Sequence, residues 1–490
     1  MDLPPHCILL VEILPVEAIT LQVSQPDQER PSSTQMTFQR LGETPTLAAE
    51  CGSGFRTEIG DNAMDTQRTN CFRDVPFMGV IRVVVEATKL GYSATDPTWS
   101  NLGQGQPEVG ALPGAPARLD RIMIPVGDHA YGPVEGLPEL REAVAAHYNR
   151  LYRRGMKSQY TADNVAIAAG GRTTLTRAVA ALGDVRLGYF IPDYTAYEDL
   201  LSAFRQVTPV LVANTAEHDF AIDPEDLAER VDAERLRALL ISNPCNPTGR
   251  AIAGDVLARW VALARRQDVT LLLDEFYSHY HYDTDPDIAH AAVPADGPVS
   301  AAAFVEDVDR DPIILFDGLT KSFRYPGWRL GWVVGPRSVV RSITAAGSFV
   351  DGGPPRPMQR AAIEVLEPQR ADQETQTVRR VFTEKRNITV ARLSEMGITF
   401  PRAPEGTFYA FGSIRDLPAP LNDGMEFYRR ALTHRVLTVP GEFFDVNPGQ
   451  TRQGRSPLSS YIRFSFGPPL VNLNSGLDRL AEMISSAKPR

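Results

Sequence analysis

From about residue 72 onward the apolar positions fall into regular spacings. In VPFMGVIRVVVEATKLGY, Val80, Val83, Val84 and Ala87 recur at helical intervals. ELREAVAAHYNRLYRRG reads as a second helix, stopped by Gly155. Between residues 165 and 335 short apolar runs alternate with helical stretches; the runs are VAIAA, LGYFI, VTPVLVA, RALLIS, VTLLLD and PIILFD. Several are apolar at successive positions, so both faces of the strand should be buried. That pattern predicts a mostly parallel sheet with helices above and below it. DVLARWVALARRQD places Val256, Leu257, Trp260, Val261 and Ala264 along one stripe, as expected for a crossover helix packed on the sheet.

Beyond about residue 350 the pattern changes to long helices with a few strands, GTFYAFG, RVLTVPG and YIRFSFG. The fold class expected is therefore α/β. A large domain, 126–345, carries the central sheet, and a smaller α/β domain is assembled from both chain ends, 72–125 and 346–490. Residues 1–71 show little periodicity and include SQPDQERPSSTQ, which favours loop or disorder. They are read as an irregular extension, with Met64 as an alternative start.

Composition narrows the function classes. Of 490 residues, 43% are hydrophobic and 22% charged, as in an ordinary globular protein long enough for more than one domain. A net charge of -10 with no basic cluster argues against nucleic-acid binding. The four cysteines, Cys7, Cys51, Cys71 and Cys245, show no CxxC spacing, so a reducing, cytoplasmic compartment is expected. CILLVEILPVEAI is interrupted by acids and proline, which suits neither a signal peptide nor a membrane span.

In a sheet of this kind ligands gather at the carboxyl ends of the strands. Four such ends carry unusual residues. GGRTTL opens a helix directly after VAIAA, and its backbone N–H groups would suit a phosphate, although glycine turns there are common for steric reasons. NPCNPTG holds Asn246 between two prolines, which a rigid turn alone could explain. Asp274 follows three leucines, and a carboxylate buried there needs a positive partner, structural or ligand. Lys321, in GLTKSFRYPGWRLGW, has small and apolar neighbours. A desolvated amine would have a lowered pKa and could serve as nucleophile and base, whereas a lone lysine is more often an unpaired surface residue. Together, a phosphate cradle, a carboxylate for a ring nitrogen and an amine for an aldehyde are the three grips that pyridoxal 5'-phosphate requires.

The order and wording of NLGQGQP, AYGPVEGLPELREAVA, NPCNPTG, DEFY, GLTKSFRYPGWRLGW and YIRFSFG resemble the class I/II aminotransferases, fold type I of the pyridoxal-phosphate enzymes. The resemblance runs from about residue 75 to 485. It implies that Lys321 is the aldimine lysine, Asp274 the partner of the pyridine nitrogen, and Tyr277 with Asn246 the pair bonded to the ring hydroxyl. Tyr194 resembles the aromatic residue stacked on the ring. Gly171, Arg172, Thr173 and Arg329 fall where the phosphate is held. Tyr131 matches a tyrosine that reaches the phosphate from the neighbouring subunit, implying a homodimer. Arg463 resembles the arginine that grips the substrate α-carboxylate, with Gly105 and Asn246 lining the same pocket. The residues support that arginine: Ile462, Phe464 and Phe466 share one strand face, leaving Arg463 on the other.

The sequence departs from the family pattern at Gly318, where many members have serine, and at Arg324 and Tyr325, which are expected close to the cofactor. His279 and His281, in HYHYD, are read as surface or supporting histidines, with no metal required. The activity implied is transfer of an amino group between an L-amino acid and a 2-oxo acid. The alternatives are a lyase or synthase acting at the β or γ position, for example on S-adenosylmethionine, and a transcription regulator with an aminotransferase-like domain. The last would need a basic DNA-binding segment before residue 75, and none is visible.

Overall fold

The computed structural model describes residues 71, 75–213, 216–282 and 297–487. Residues 74–490 cluster as one unit. The extension expected over 1–71 lies outside the described residues, apart from Cys71.

In chain order the strands are β1 (Ser100–Asn101), β2 (Val165–Ala168), β3 (Val185–Ile191), β4 (Val207–Ala213), β5 (Ala238–Ser242), β6 (Thr270–Asp274), β7 (Ile313–Gly318), β8 (Gly331–Val334), β9 (Tyr409–Ser413), β10 (Val436–Leu437), β11 (Val439–Pro440) and β12 (Tyr461–Ser465). The central sheet has the order β2-β8-β7-β6-β5-β3-β4. All the apolar runs named above supply strands to it. Its neighbours pair in parallel except around β8, which runs antiparallel to both β2 and β7. The run pattern did not mark β8, because GWVV is too short to show a period.

Successive strand residues point to opposite faces, and the core divides accordingly. Leu240, Leu272, Ile314, Phe316 and Val333 join one apolar cluster. Their chain neighbours Leu239, Ile241, Leu271, Leu273, Leu315 and Val334 join the other. This is why β5, β6 and β7 read as unbroken apolar runs: helices cover both sides.

The helices are α1 (Gly79–Lys89), α2 (Pro138–Tyr152), α3 (Gly171–Ala181), α4 (Ala196–Ala203), α5 (Pro224–Ala233), α6 (Gly254–Gln267), α7 (Arg337–Val350), α8 (Arg356–Val365), α9 (Pro368–Glu395), α10 (Gly424–Thr433) and α11 (Leu470–Ser486). Leu175 and Val179 of α3 and Ile343 of α7 pack on the first face. Leu140 and Val144 of α2 and Leu257, Trp260, Val261 and Ala264 of α6 pack on the second. Val256, placed on the α6 stripe from the sequence, is instead 42% exposed. It sits one position outside the arc that four other residues already fill.

In the C-terminal part β9, β12 and β11 form a three-stranded antiparallel sheet. RVLTVPG, expected as a single strand, divides in two. β10 pairs in parallel with β1, while β11 pairs with β12.

Candidate active site

The carboxyl ends of β5, β6 and β7 and the first turn of α3 open on a cavity of about 760 Å³. Its charged lining is Arg172, Lys321, Arg329 and Arg463 against Asp96 and Asp274. Positive charge is therefore in excess, and among the described residues none of the three guanidinium groups has a carboxylate partner.

Lys321 turns its side chain into this cavity and donates from Nζ to the carbonyl of Gly105. Part of the side chain remains accessible, and it faces this cavity. Burial, with Arg463, Arg172 and Arg329 nearby, pushes the amine down to about 7, and the negative charge of Asp274 opposes that shift only in part. Asp274 closes β6 and is 6% exposed. Burial raises its carboxyl to about 6, against the opposing influence of the Tyr197 hydroxyl, the Phe276 N–H and Lys321. Tyr197 donates to Asp274 Oδ2 at 2.8 Å.

A buried arginine stands at one end. Arg463, on β12, is 1% exposed. It donates to Asn246 Oδ1 at 2.9 Å and to the Gly103 carbonyl at 2.8 Å, and lies 4.0 Å over the Tyr409 ring. Its Nε is buried and has no hydrogen-bond partner among the described residues. Arg463 does not stand on a solvated strand face, since every position of β12 is buried. Tyr277 reaches the same end, its hydroxyl 3.0 Å from that of Tyr409.

A glycine turn stands at the other. Gly170 has φ of +92, and a Cβ there would collide with the Arg329 guanidinium; one on Gly171 would meet the Phe276 ring at 2.6 Å. Only bare backbone lets the start of α3 come this close. Arg329 arrives through a left-handed backbone, φ +53. Arg172 donates from Nε to the Tyr194 hydroxyl at 3.0 Å. Thr320, next to Lys321, brings a buried hydroxyl that finds no partner among the described residues.

The cavity thus brings together Gly105, Gly171, Arg172, Tyr194, Asn246, Asp274, Tyr277, Lys321, Arg329 and Arg463. Two residues expected from the sequence are not among them. Thr173 turns its hydroxyl back to the Ala169 carbonyl at 3.2 Å. Tyr131 is 99% exposed on the surface of this chain. Sequence reading in turn passed over Tyr197, Thr320 and Tyr409. Tyr197 had a signal, since it follows Tyr194 by three positions and so shares its side of a helical turn.

Arg324 and Tyr325 require correction. Neither lines the cavity. A left-handed residue at Arg324, φ +58, turns the chain so that its side chain runs the opposite way. Arg324 pairs with Glu374 at 2.6 Å and donates to the carbonyls of Glu108 at 2.8 Å and Gly110 at 2.7 Å. The Tyr325 hydroxyl accepts from the Leu119 N–H at 3.1 Å, and Arg118 lies 3.5 Å over its ring. These residues anchor the lysine loop to α9 and to residues 108–119. Arg324→Ala should cost about 3 kcal/mol, because it leaves Glu374 buried with only the more distant Arg118. A urea midpoint equal to wild type would contradict this.

Gly318 has a steric reason. A Cβ there would meet the Leu330 carbonyl at 2.5 Å and Gly331 Cα at 2.6 Å, so serine does not fit without a backbone shift. His279 is not a surface residue. It is buried, with Nδ1 2.9 Å from the Thr375 hydroxyl and its ring 4.9 Å from that of Phe323.

Comparison with known proteins agrees with this geometry. The family described as aminotransferase class I and II matches residues 97–480. An aspartate aminotransferase of Pyrococcus horikoshii is 27% identical over 391 residues, covering 79% of this chain and 91% of the relative. An aspartate/prephenate aminotransferase of Thermus thermophilus is 26% identical, over 75% of this chain and 86% of its own length. Among solved structures, the aspartate aminotransferase of Thermus thermophilus with maleate superposes with a TM-score of 0.67 at 24% identity, covering 84% of this chain and all of that one. An aminotransferase from Mycobacterium tuberculosis gives 0.68 at 25% identity, covering 86% of this chain and 100% of that one. These likenesses do not favour the lyase or synthase alternative. The chain belongs to the class I and II aminotransferases, which move an amino group between an amino acid and a 2-oxo acid.

Proposed function

We propose that this cavity holds pyridoxal 5'-phosphate at Lys321 and binds an L-amino acid and a 2-oxo acid in turn against Arg463. The observation that carries the reading is the buried amine of Lys321 beside the buried carboxylate of Asp274, with unpaired guanidinium groups at both ends of one cavity. When bound, the cofactor supplies an aldehyde for amines and an electron-withdrawing ring.

The residues present fit such a group. The turn at Gly170 and Gly171, Arg172 and Arg329 suit its phosphate, and the unpartnered hydroxyl of Thr320 offers one donor more. Thr173 adds nothing to this end, since its N–H donates to the Gly170 carbonyl at 3.0 Å and its hydroxyl to that of Ala169. Tyr194 would stack on the ring, and Asn246 and Tyr277 would donate to its hydroxyl. Asp274, held by Tyr197, would accept from the ring nitrogen. Lys321, with much of its amine unprotonated near neutrality, would attack the aldehyde and later move the proton at the substrate α-carbon. Arg463 would grip the substrate carboxylate as a planar fork, with Gly105 beside it.

A homodimer completes the reading, with Tyr131 of each copy reaching the other's site. Its support is the exposure of Tyr131, 99%, together with that of Met123 and Val126, both 87%. A division into a large domain, 126–345, and a small one from 72–125 and 346–490 is supported by the separate origins of the two main sheets. Residence in the cytoplasm accords with free Cys71 and Cys245. Among the described residues no helix is long and apolar enough to cross a membrane.

The test is a single-turnover reaction of the pyridoxal-phosphate-loaded protein with a panel of L-amino acids. Release of one matching 2-oxo acid per site, with the amino group kept on the protein and then passed to a second 2-oxo acid, is expected. Release of ammonia, or of a β or γ substituent, would overturn it.

A further inference from the structure

The central sheet opens where the cavity begins. β5 stays paired with β6 to its last residue, Ser242↔Asp274, and β3 stays paired with β4 to Ile191↔Ala213. Between β3 and β5 the pairing stops earlier, at Tyr189↔Leu240. Past that point the side chain of Asp193 spans the gap. Asp193 is fully buried. Its Oδ1 accepts from the Tyr194 N–H at 2.7 Å and from the Ser242 hydroxyl at 2.5 Å, and its Oδ2 faces the Ser242 N–H at 3.4 Å. Ser242 Oγ in turn accepts from the Asn246 N–H at 3.1 Å, and Asn246 Oδ1 accepts from Arg463 at 2.9 Å.

A continuous chain of hydrogen bonds therefore runs from the end of β3 to the arginine on β12, and among the described residues no cation pairs with Asp193. We infer that Asp193 is a positioning residue for the carboxylate-binding end of the site. Through Ser242 it fixes the turn that carries Asn246, and through Asn246 it fixes the direction of the Arg463 fork. The inference rests on the reading of Arg463 as the carboxylate grip. A loose turn would let Asn246 Oδ1 withdraw and the guanidinium rotate, so the loss should fall on substrate binding. One carboxyl oxygen makes both short bonds, so an amide placed with its oxygen there keeps those two and gives up only the long contact of Oδ2 with the Ser242 N–H, whereas alanine removes all three.

Steady-state kinetics of the pyridoxal-phosphate-loaded enzyme test this with Asp193→Ala, Ser242→Ala, the double variant and Asp193→Asn. Either alanine variant should raise KM for the amino acid about tenfold with kcat changed by less than about threefold, as expected when binding common to ground and transition states is lost. The double variant should be no worse than Asp193→Ala alone, since both changes cut one chain. Asp193→Asn should stay close to wild type. An unchanged KM, additive effects, or Asp193→Asn as impaired as Asp193→Ala would each overturn the inference. Ser242→Ala keeps the test open if Asp193→Ala fails to fold. Arg463→Lys separates the two readings: its KM should rise at least about tenfold, because a point charge replaces a two-pronged donor. An unchanged KM there would remove the reading of Arg463 itself.

Discussion

Lys321→Ala should give a folded protein that no longer holds pyridoxal phosphate covalently and whose transfer rate falls by about a thousandfold or more, since the nucleophile and the mover of the α-proton are lost together. The fold should survive because the side chain faces a cavity and makes no ion pair among the described residues. The setting of the amine makes a second part of this prediction. Burial and three arginines hold it near 7, so below that pH the amine carries a proton and cannot attack. Covalent capture of added pyridoxal phosphate by wild type should slow as the pH falls below about 7 and level off above it. An ordinary lysine, with a pKa near 10.4, would still gain about tenfold per pH unit across that range. Stopped-flow absorbance separates the two courses, and a rate still climbing tenfold per unit at pH 8.5 would show an unperturbed amine.

Asp274→Asn should bind the cofactor but lose about a hundredfold or more in kcat, the scale of removing one preorganised charge from a dry site. An amide fills the same volume and can still accept from Tyr197, so structure should be kept. What it lacks is a negative charge to hold a proton on the ring nitrogen, and the rate depends on that proton. Thermal melting unchanged beside a collapsed kcat is the expected pair of results. A near-normal kcat would make Asp274 a structural partner only.

The site was legible wherever a polar residue interrupted an apolar run. Asp274 after three leucines and the glycine turn after VAIAA are such places, and a strand end is where a buried sheet must offer its functional groups. Lys321 was legible for a related reason, as an amine with no charged neighbours. The central strands were legible because burial on both faces removes polar alternation, but β8 and the divided β10 and β11 were too short for any period to show. Arg324 and Tyr325 lie away from the cavity because nearness to Lys321 in sequence is not nearness in space. One left-handed residue, at φ +58, reverses where the chain points its side chains, and no periodicity argument registers it. Tyr197 and Thr320 were passed over because each sits beside a more conspicuous neighbour. Tyr131 shows the limit of a single chain, since a residue proposed to act in a second copy lies fully exposed in its own.

The most direct test of the account is to reduce the pyridoxal-phosphate-loaded protein with borohydride, digest it, and map the pyridoxyl label by mass spectrometry. One label per chain is expected, on the peptide containing Lys321. A label on another lysine, or a protein that binds no pyridoxal phosphate at all, would contradict it.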